Sequence, residues 1–417
     1  MPTLEKLSSR QRLFLAALGV PALGMTFTVT VVSTYVPVLV DQVTGPVVVG
    51  ALIGGEGFFG IFMPAIVGGI SDRRSRRVRD RMPLLVAFAA VTALAVAAVG
   101  LLAVLGTLSL WALALALAVL YAGYYSFLAP YWSLFPDLVP DEQSGRSVSA
   151  ESTWRVTGVG LALIGGGLMM DLSPGLPFLV AAVLVVLVTA LLLRGLRHRL
   201  DEPVHRDGDE GEEVLTNLGA IRRLLADADI RALCLANGLW NFALAALRAF
   251  VVLFFTAGLG RSSTFVSTVI FPLVAVGIAV AAPLSGWAAD RFGHVRLLGA
   301  SLLVYGVLMV VPGLTQQTWV VALIPLVAAG AATVMTLPLS VLMRLLPEDR
   351  HGAASGLFGL SRGIGATLGP VVAGAAIVLL GPVLPSTHGY AAMWFVCSAA
   401  LVASLPLLWR LRHDDRL

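Results

Sequence analysis

"GGISDRRSRRVRDRMP", residues 68–83, sets six arginines and two aspartates directly after an almost uninterrupted apolar run. A thinner echo, "GWAADRFGHVR", occupies residues 286–296. The apolar context of these charges decides how the chain is read. Of its 417 residues, 58% are hydrophobic and only 12% charged, and mean hydropathy is +0.90. A soluble domain is about half apolar and about a quarter charged. A helix needs about 20 consecutive apolar residues to cross a bilayer, whereas a barrel shows alternating segments of about ten. Here the runs are long, continuous and rich in Leu, Val, Ala and Gly. The sequence therefore predicts an all-α membrane protein that crosses the bilayer many times.

About twelve spans are expected, near 12–39, 45–71, 83–105, 108–135, 150–171, 176–195, 231–258, 263–286, 296–314, 318–344, 354–380 and 388–410. The long polar segment "RHRLDEPVHRDGDEGEEVLTNLGAIRRLLADADI" divides them six and six. Three regions follow: a bundle over 1–195, a cytoplasmic linker over 196–230 and a second bundle over 231–417. Within the linker, Leu218, Ile221, Leu224 and Leu225 recur at helical spacing, which predicts a short amphipathic helix on the membrane surface. The first apolar run is about 28 residues long, too long for the core of a cleaved signal. Cys234 and Cys397 lie inside apolar runs and suggest no disulfide framework.

The basic residues fall on one side. With the N-terminus inside, 22 lie in inner segments and only Arg261 lies in an outer loop. The positive-inside rule then puts both termini and the linker in the cytoplasm, in a cell-membrane protein. The pI near 9.4 reflects this bias toward one face, and no nucleic-acid partner is expected.

The two halves also share chemistry. At an offset of 207, Leu138, Val139, Pro140, Asp141 and Glu142 meet Leu345, Leu346, Pro347, Glu348 and Asp349. Gly145, Arg155 and Gly158 meet Gly352, Arg362 and Gly365. Asp72-Arg73 after span two is matched by Asp290-Arg291 after span eight. Internal repeats of this kind mark transporter folds.

With these motifs the chain resembles the major facilitator superfamily, whose loop between helices two and three reads roughly G-x-x-x-D-R-x-G-R-R. Here it is Gly68, Asp72, Arg73, Arg76 and Arg77, with Ser75 in place of the glycine. The second copy, Gly286, Asp290, Arg291 and Gly293, keeps the glycine and lacks the arginine pair. The resemblance implies two pseudo-symmetric six-helix bundles and a cytoplasmic latch. In that latch Asp72 would meet the start of span eleven near Arg362, and Asp290 the start of span five near Arg155, each anion at a helix N-terminus. Arg73, Arg76 and Arg291 belong to the same motif. Topology anchoring alone would need the arginines but not the aspartates.

"PYWSLFPDLVPDEQSGR", residues 130–146, resembles the end of helix four in the glycoside–pentoside–hexuronide cation symporters and the related sucrose transporters. The likeness implies a sugar substrate. However, Phe59, Met63 and Leu128 stand where the melibiose-type members place cation-binding carboxylates, so their sodium site is absent. Glu56, in "GGEGFFG", is the one acid deep in a span. An intramembrane carboxylate is costly and marks a functional site by default, and Glu56 is expected to carry a coupling proton. The alternative is a hydrogen-bonded structural glutamate among glycines.

Candidate substrate-facing groups are Asn237, Asn241 and Arg248, within about 40° of one another on span seven, with Trp240 beside them. Thr26, Thr30 and Ser33 form a stripe on span one. Tyr121, Tyr124, Tyr125 and Trp132 crowd span four. Aromatic faces with amides and hydroxyls suit a sugar, and they equally suit a planar drug. Threonines can instead join helices, and aromatics can simply pack. An arginine in a cavity would favour a partner or solute of negative charge, Glu56 included.

"GLSRG", residues 359–363, matches G-x-S-x-G but lies in a helix and not at a strand-to-helix turn, so an enzyme is not expected. A receptor or channel would lack alternating access. No histidine falls in a span core, no metal site or cofactor is expected, and no ATP-binding G-x-x-x-x-G-K-[ST] is present. The reading is thus a monomeric secondary transporter driven by protons, taking up a sugar or, alternatively, exporting small amphipathic compounds.

Overall fold

The computed structural model describes residues 9–41, 43–140, 143–204, 224–345 and 351–411. Among them, twelve helices are long and apolar enough to cross a membrane. They are α1 (Leu13–Val40), α2 (Pro46–Arg74), α3 (Val78–Val104), α4 (Leu110–Leu138), α5 (Ser144–Leu172) and α6 (Leu176–Leu196). The second set is α7 (Ala228–Gly258), α8 (Ser263–Ala281), α9 (His294–Leu314), α10 (Thr318–Pro338), α11 (Gly356–Leu380) and α12 (Ala392–Leu411). The linker helix expected near residues 217–225 falls mostly outside the described residues, as do 141–142 and 346–350 of the repeated loops.

The helices start and stop where backbone chemistry requires. Asp80, three residues into α3, accepts from the N–H groups of Arg76 and Arg77 at 2.9 Å each. These bonds satisfy donors that a helix start leaves open. Asp227 does the same for α7, accepting from Asp229 N–H at 2.9 Å and Ile230 N–H at 3.4 Å. The helix of α8 runs on to Phe292 and stops at Gly293, whose φ of +89° suits a residue without a side chain. Ser75, the counterpart of Gly293 in the first loop, is buried, and the only non-glycine with positive φ among the described residues is His388. The two copies of the loop are therefore built differently. At its far end α7 widens into a π-turn over Phe254–Gly258, and Val266–Ile270 near the start of α8 does the same.

The chain forms two compact units. The first comprises residues 1–32 and 62–208; the second comprises 33–61 and 209–417. The last two turns of α1 and the first half of α2 thus pack with the second half of the chain.

In the first unit, Leu85, Phe127, Tyr131, Leu134, Val185 and Leu192 form the centre of a buried apolar cluster. The Tyr131 hydroxyl donates to the carbonyls of Leu18 and Gly19 at 3.0 and 3.3 Å, which ties α4 to α1. Residues 76–79 are stitched to the segment after α6: Val78 N–H donates to Glu202 O and Arg79 N–H to Leu200 O. Asp201 sits 3.3 Å from Arg77 and 3.1 Å from Arg79. Both pairs are exposed and worth little alone, but the backbone bonds fix the loop's course.

In the second unit, α11 packs against both α7 and α2. A Cβ at Gly365 would overlap the carbonyl of Gly238, and one at Gly54 would overlap the carbonyl of Thr367. Helix axes approach closely where small residues permit it, and van der Waals packing is what joins helices in lipid.

Candidate functional site

Glu56 and Arg248 both lie in the second unit, and the structure brings them together. Arg248 Nη2 donates to Glu56 Oε1 at 3.4 Å. Each is ten residues from the end of its helix on the side of loops 41–45 and 259–262, a depth of about 15 Å at 1.5 Å per residue. The glutamate side chain is 11% exposed and the arginine 40%. A buried carboxylate is tolerable in such a place only with a counter-charge, and Arg248 supplies it. Gly57, next to Glu56, lies so close to Gly363 and Thr367 of α11 that a Cβ would come within 2.7 Å of their atoms. That contact fixes the helix that presents the carboxylate.

The other candidates on α7 are hydrogen-bonded within the protein, Asn237 and Trp240 to neighbouring helices and Asn241 within α7. Asn237 donates to Phe358 O at 2.9 Å and to Ser361 Oγ at 2.8 Å, both on the helix that contains α11. Asn241 donates back to Asn237 at 2.9 Å, and Trp240 Nε1 donates to Ser404 Oγ of α12 at 2.8 Å. On α1, Thr26 donates to Ala22 O in its own helix, while Thr30 and Ser33 are buried. On α4, Tyr121 is buried, Tyr124 and Tyr125 meet edge to face with centroids 4.9 Å apart, and Trp132 is exposed.

The expected latch residues have partners inside their own units. Asp72 accepts from Arg81 Nη1 at 2.7 Å. Arg155 Nε lies 3.5 Å from Glu151, and Asp290 lies 3.9 Å from His294 Nε2. Arg291 sits 5.7 Å above the Trp287 ring. Arg73, Arg76 and Arg362 are exposed.

Two polar groups that the sequence reading gave no role form the most buried charge pair in the first unit. Arg81 Nε stands 3.0 Å from Asp137 Oδ2, with the side chains 3% and 1% exposed. The same guanidinium reaches Ser71 Oγ at 3.0 Å as well as Asp72. An aspartate in the apolar end of α4, facing an arginine one turn into α3, was the available signal. In the second unit, Asp41 accepts from the hydroxyl of Tyr390. Burial raises the Asp41 carboxyl above its ordinary range, partly offset by that hydrogen bond. Burial and the neighbouring carboxylate both raise the phenol.

Residues 233–416 match the family model of the Major Facilitator Superfamily. A Multidrug resistance protein MdtG of Escherichia coli O6:K15:H31 is 25% identical over 413 residues, 96% of this chain and 94% of that protein. The MdtG of Dickeya zeae is 24% identical over 278 residues, 65% of this chain and 64% of its own length. Among solved structures, a bacterial homolog of the human lysosomal transporter Spinster, in an inward-facing and unoccupied conformation, superposes with a TM-score of 0.79 at 17% identity, covering 97% of each chain. The nucleoside transporter NupG gives 0.75 at 15% identity, covering 96% of this chain and all of that one. The fold is that of the major facilitator transporters, and the chain is a multi-pass membrane protein.

Proposed function

We propose that this chain is a proton-coupled transporter of the major facilitator type that carries a small amphipathic organic compound. The observation that carries the reading is the Glu56–Arg248 pair. A carboxylate at this depth is expensive without function, and one whose counter-charge is a partly accessible arginine can exchange that partner for a proton. Glu56 is the proton site in this account, and Arg248, which keeps its charge throughout, is the counter-charge that Glu56 pairs with when it has no proton. Asp72 and Asp290 act as cytoplasmic latches, with both termini on the cytoplasmic side of the cell membrane.

The relatives named for multidrug resistance support an amphipathic solute. So do the helix-to-helix bonds of Asn237 and Trp240, which occupy amide and indole groups that a sugar would otherwise use. Sugar symport is the second reading, favoured by the likeness of residues 130–136 to the glycoside symporters. Tyr131 of that stretch bonds the α1 backbone, which leaves fewer of its polar groups for a solute.

Proteoliposomes holding an internal pH dye separate the two. Amphipathic drugs are expected to move protons while mono- and disaccharides do not, and the sign of the pH change reads whether solute and proton travel together or in exchange. A response to sugars alone would replace the first reading with the second. No proton movement with any compound would remove both.

A further inference from the structure

We infer that the transported solute carries an anionic group, and that the guanidinium of Arg248 is what recognises it. The inference rests on the proposed coupling role of the Glu56–Arg248 pair and adds the charge of the solute.

Three observations point this way. The first is what the site presents. Arg248 is 40% exposed and Glu56 only 11%, so an arriving molecule meets the positive member of the pair, with the negative member behind it. The second is the form of the contact. The pair is held through Nη2 at 3.4 Å, whereas arginine and carboxylate at their best form two parallel bonds at about 2.7–2.9 Å. A carboxylate, sulfonate or phosphonate on the solute can approach the guanidinium at the shorter distance of such a fork. The third is the setting. Glu56 cannot easily follow the arginine, because α2 is pinned to α11 at Gly54 and Gly57 by backbone contact. The guanidinium, on a long flexible side chain, can turn toward a new partner.

The exchange has a chemical consequence. When the solute's anion takes the guanidinium, Glu56 is left as a carboxylate with little water and a weakened counter-charge. Such a charge is discharged by a proton taken from water. One proton adds to one carboxylate oxygen, and no other bond changes. Anion and proton are then bound together. A cationic solute would instead meet the exposed guanidinium first and be repelled by it.

The test uses the full chain in neutral-lipid nanodiscs and three probes that share one ring system: 2-naphthoate, 2-naphthylmethanol and 2-naphthylmethylammonium. Equilibrium dialysis, corrected with empty nanodiscs, reads their affinities. The anion is expected to bind about tenfold tighter than the other two, as a charge-assisted fork allows. Arg248→Gln is expected to lose that preference and Arg248→Lys to keep part of it, which separates charge from misfolding. Glu56→Gln is expected to bind the anion tighter than the native chain, because its competitor for Arg248 is gone. Equal or tighter binding of the cation overturns the inference. So does a preference that survives Arg248→Gln, weaker anion binding by Glu56→Gln, or no binding above empty nanodiscs. The proton reading fails separately, by loss of solute-driven proton movement in liposomes, and that outcome does not touch the charge preference measured here.

Discussion

Arg81→Ala is expected to destabilise the protein by roughly 3–5 kcal/mol, the cost of breaking a buried ion pair from one side. The substitution leaves Asp137, 1% exposed, beside an empty space instead of a guanidinium. The pairing with Asp72 adds little to this figure, because that carboxylate is 58% exposed and screened by water. Removing both charges is a different matter. Arg81→Met combined with Asp137→Leu keeps the volume and leaves no buried charge behind, so most of the stability should return, less the hydrogen bond that the buried Ser71 hydroxyl loses. Thermal unfolding in detergent measures both. A single variant as stable as the native chain would mean that Asp137 is protonated or hydrated, and that the pair is not what fixes the start of α3 to the end of α4.

Gly365→Val is expected to be nearly as damaging, through shape and not charge. A side chain there overlaps the Gly238 carbonyl of α7, and overpacking costs about 1–3 kcal/mol where the backbone can shift, and more where it cannot. Here α11 is held on its other face by α2, so little room for a shift exists. Separation would also lengthen the bonds from Asn237 to Phe358 and Ser361. Gly359→Ala is the control, since nothing lies within 4 Å of its Cβ position and alanine is the better helix former. The readouts are the unfolding temperature and the maleimide reactivity of Cys397. That thiol is buried and bonded to Ala243 O of α7, so it should react faster as the helices part. A Gly365→Val protein with native melting and a silent Cys397 would contradict the packing described for α7 and α11.

Much of this architecture can be read from the chain because lipid permits few alternatives. Apolar runs of spanning length must be helices in a bilayer, so the positions of the twelve spans follow from hydropathy alone. Details at their ends do not. The helix of α8 runs on to Phe292 because Gly293, and not a change of polarity, stops it. The division of the chain at residues 32–33 and 61–62 is equally invisible, since nothing in α1 or α2 changes composition there.

The site was half legible. A lone acid such as Glu56 announces itself by its cost, and Arg248 was expected to find a negative partner. Asn237 and Trp240 were expected to face a solute, yet in the structure they bond other helices. An amide that faces a solute and an amide that joins two helices give the same pattern along one helix, and only the neighbouring helix tells them apart. Arg81 was counted among six similar arginines for the same reason. Its distinction is Asp137, which lies 56 residues away in sequence and 3.0 Å away in space.

Solute-driven proton movement in proteoliposomes, native chain against Glu56→Gln, decides whether Glu56 couples solute to proton. Glutamine keeps the shape and cannot exchange a proton. The account predicts that the native protein moves protons when an amphipathic solute is added and that Glu56→Gln, folded and still able to bind the solute, moves none. Native-like proton movement by Glu56→Gln would contradict it, and the coupling site would have to lie elsewhere in the fold.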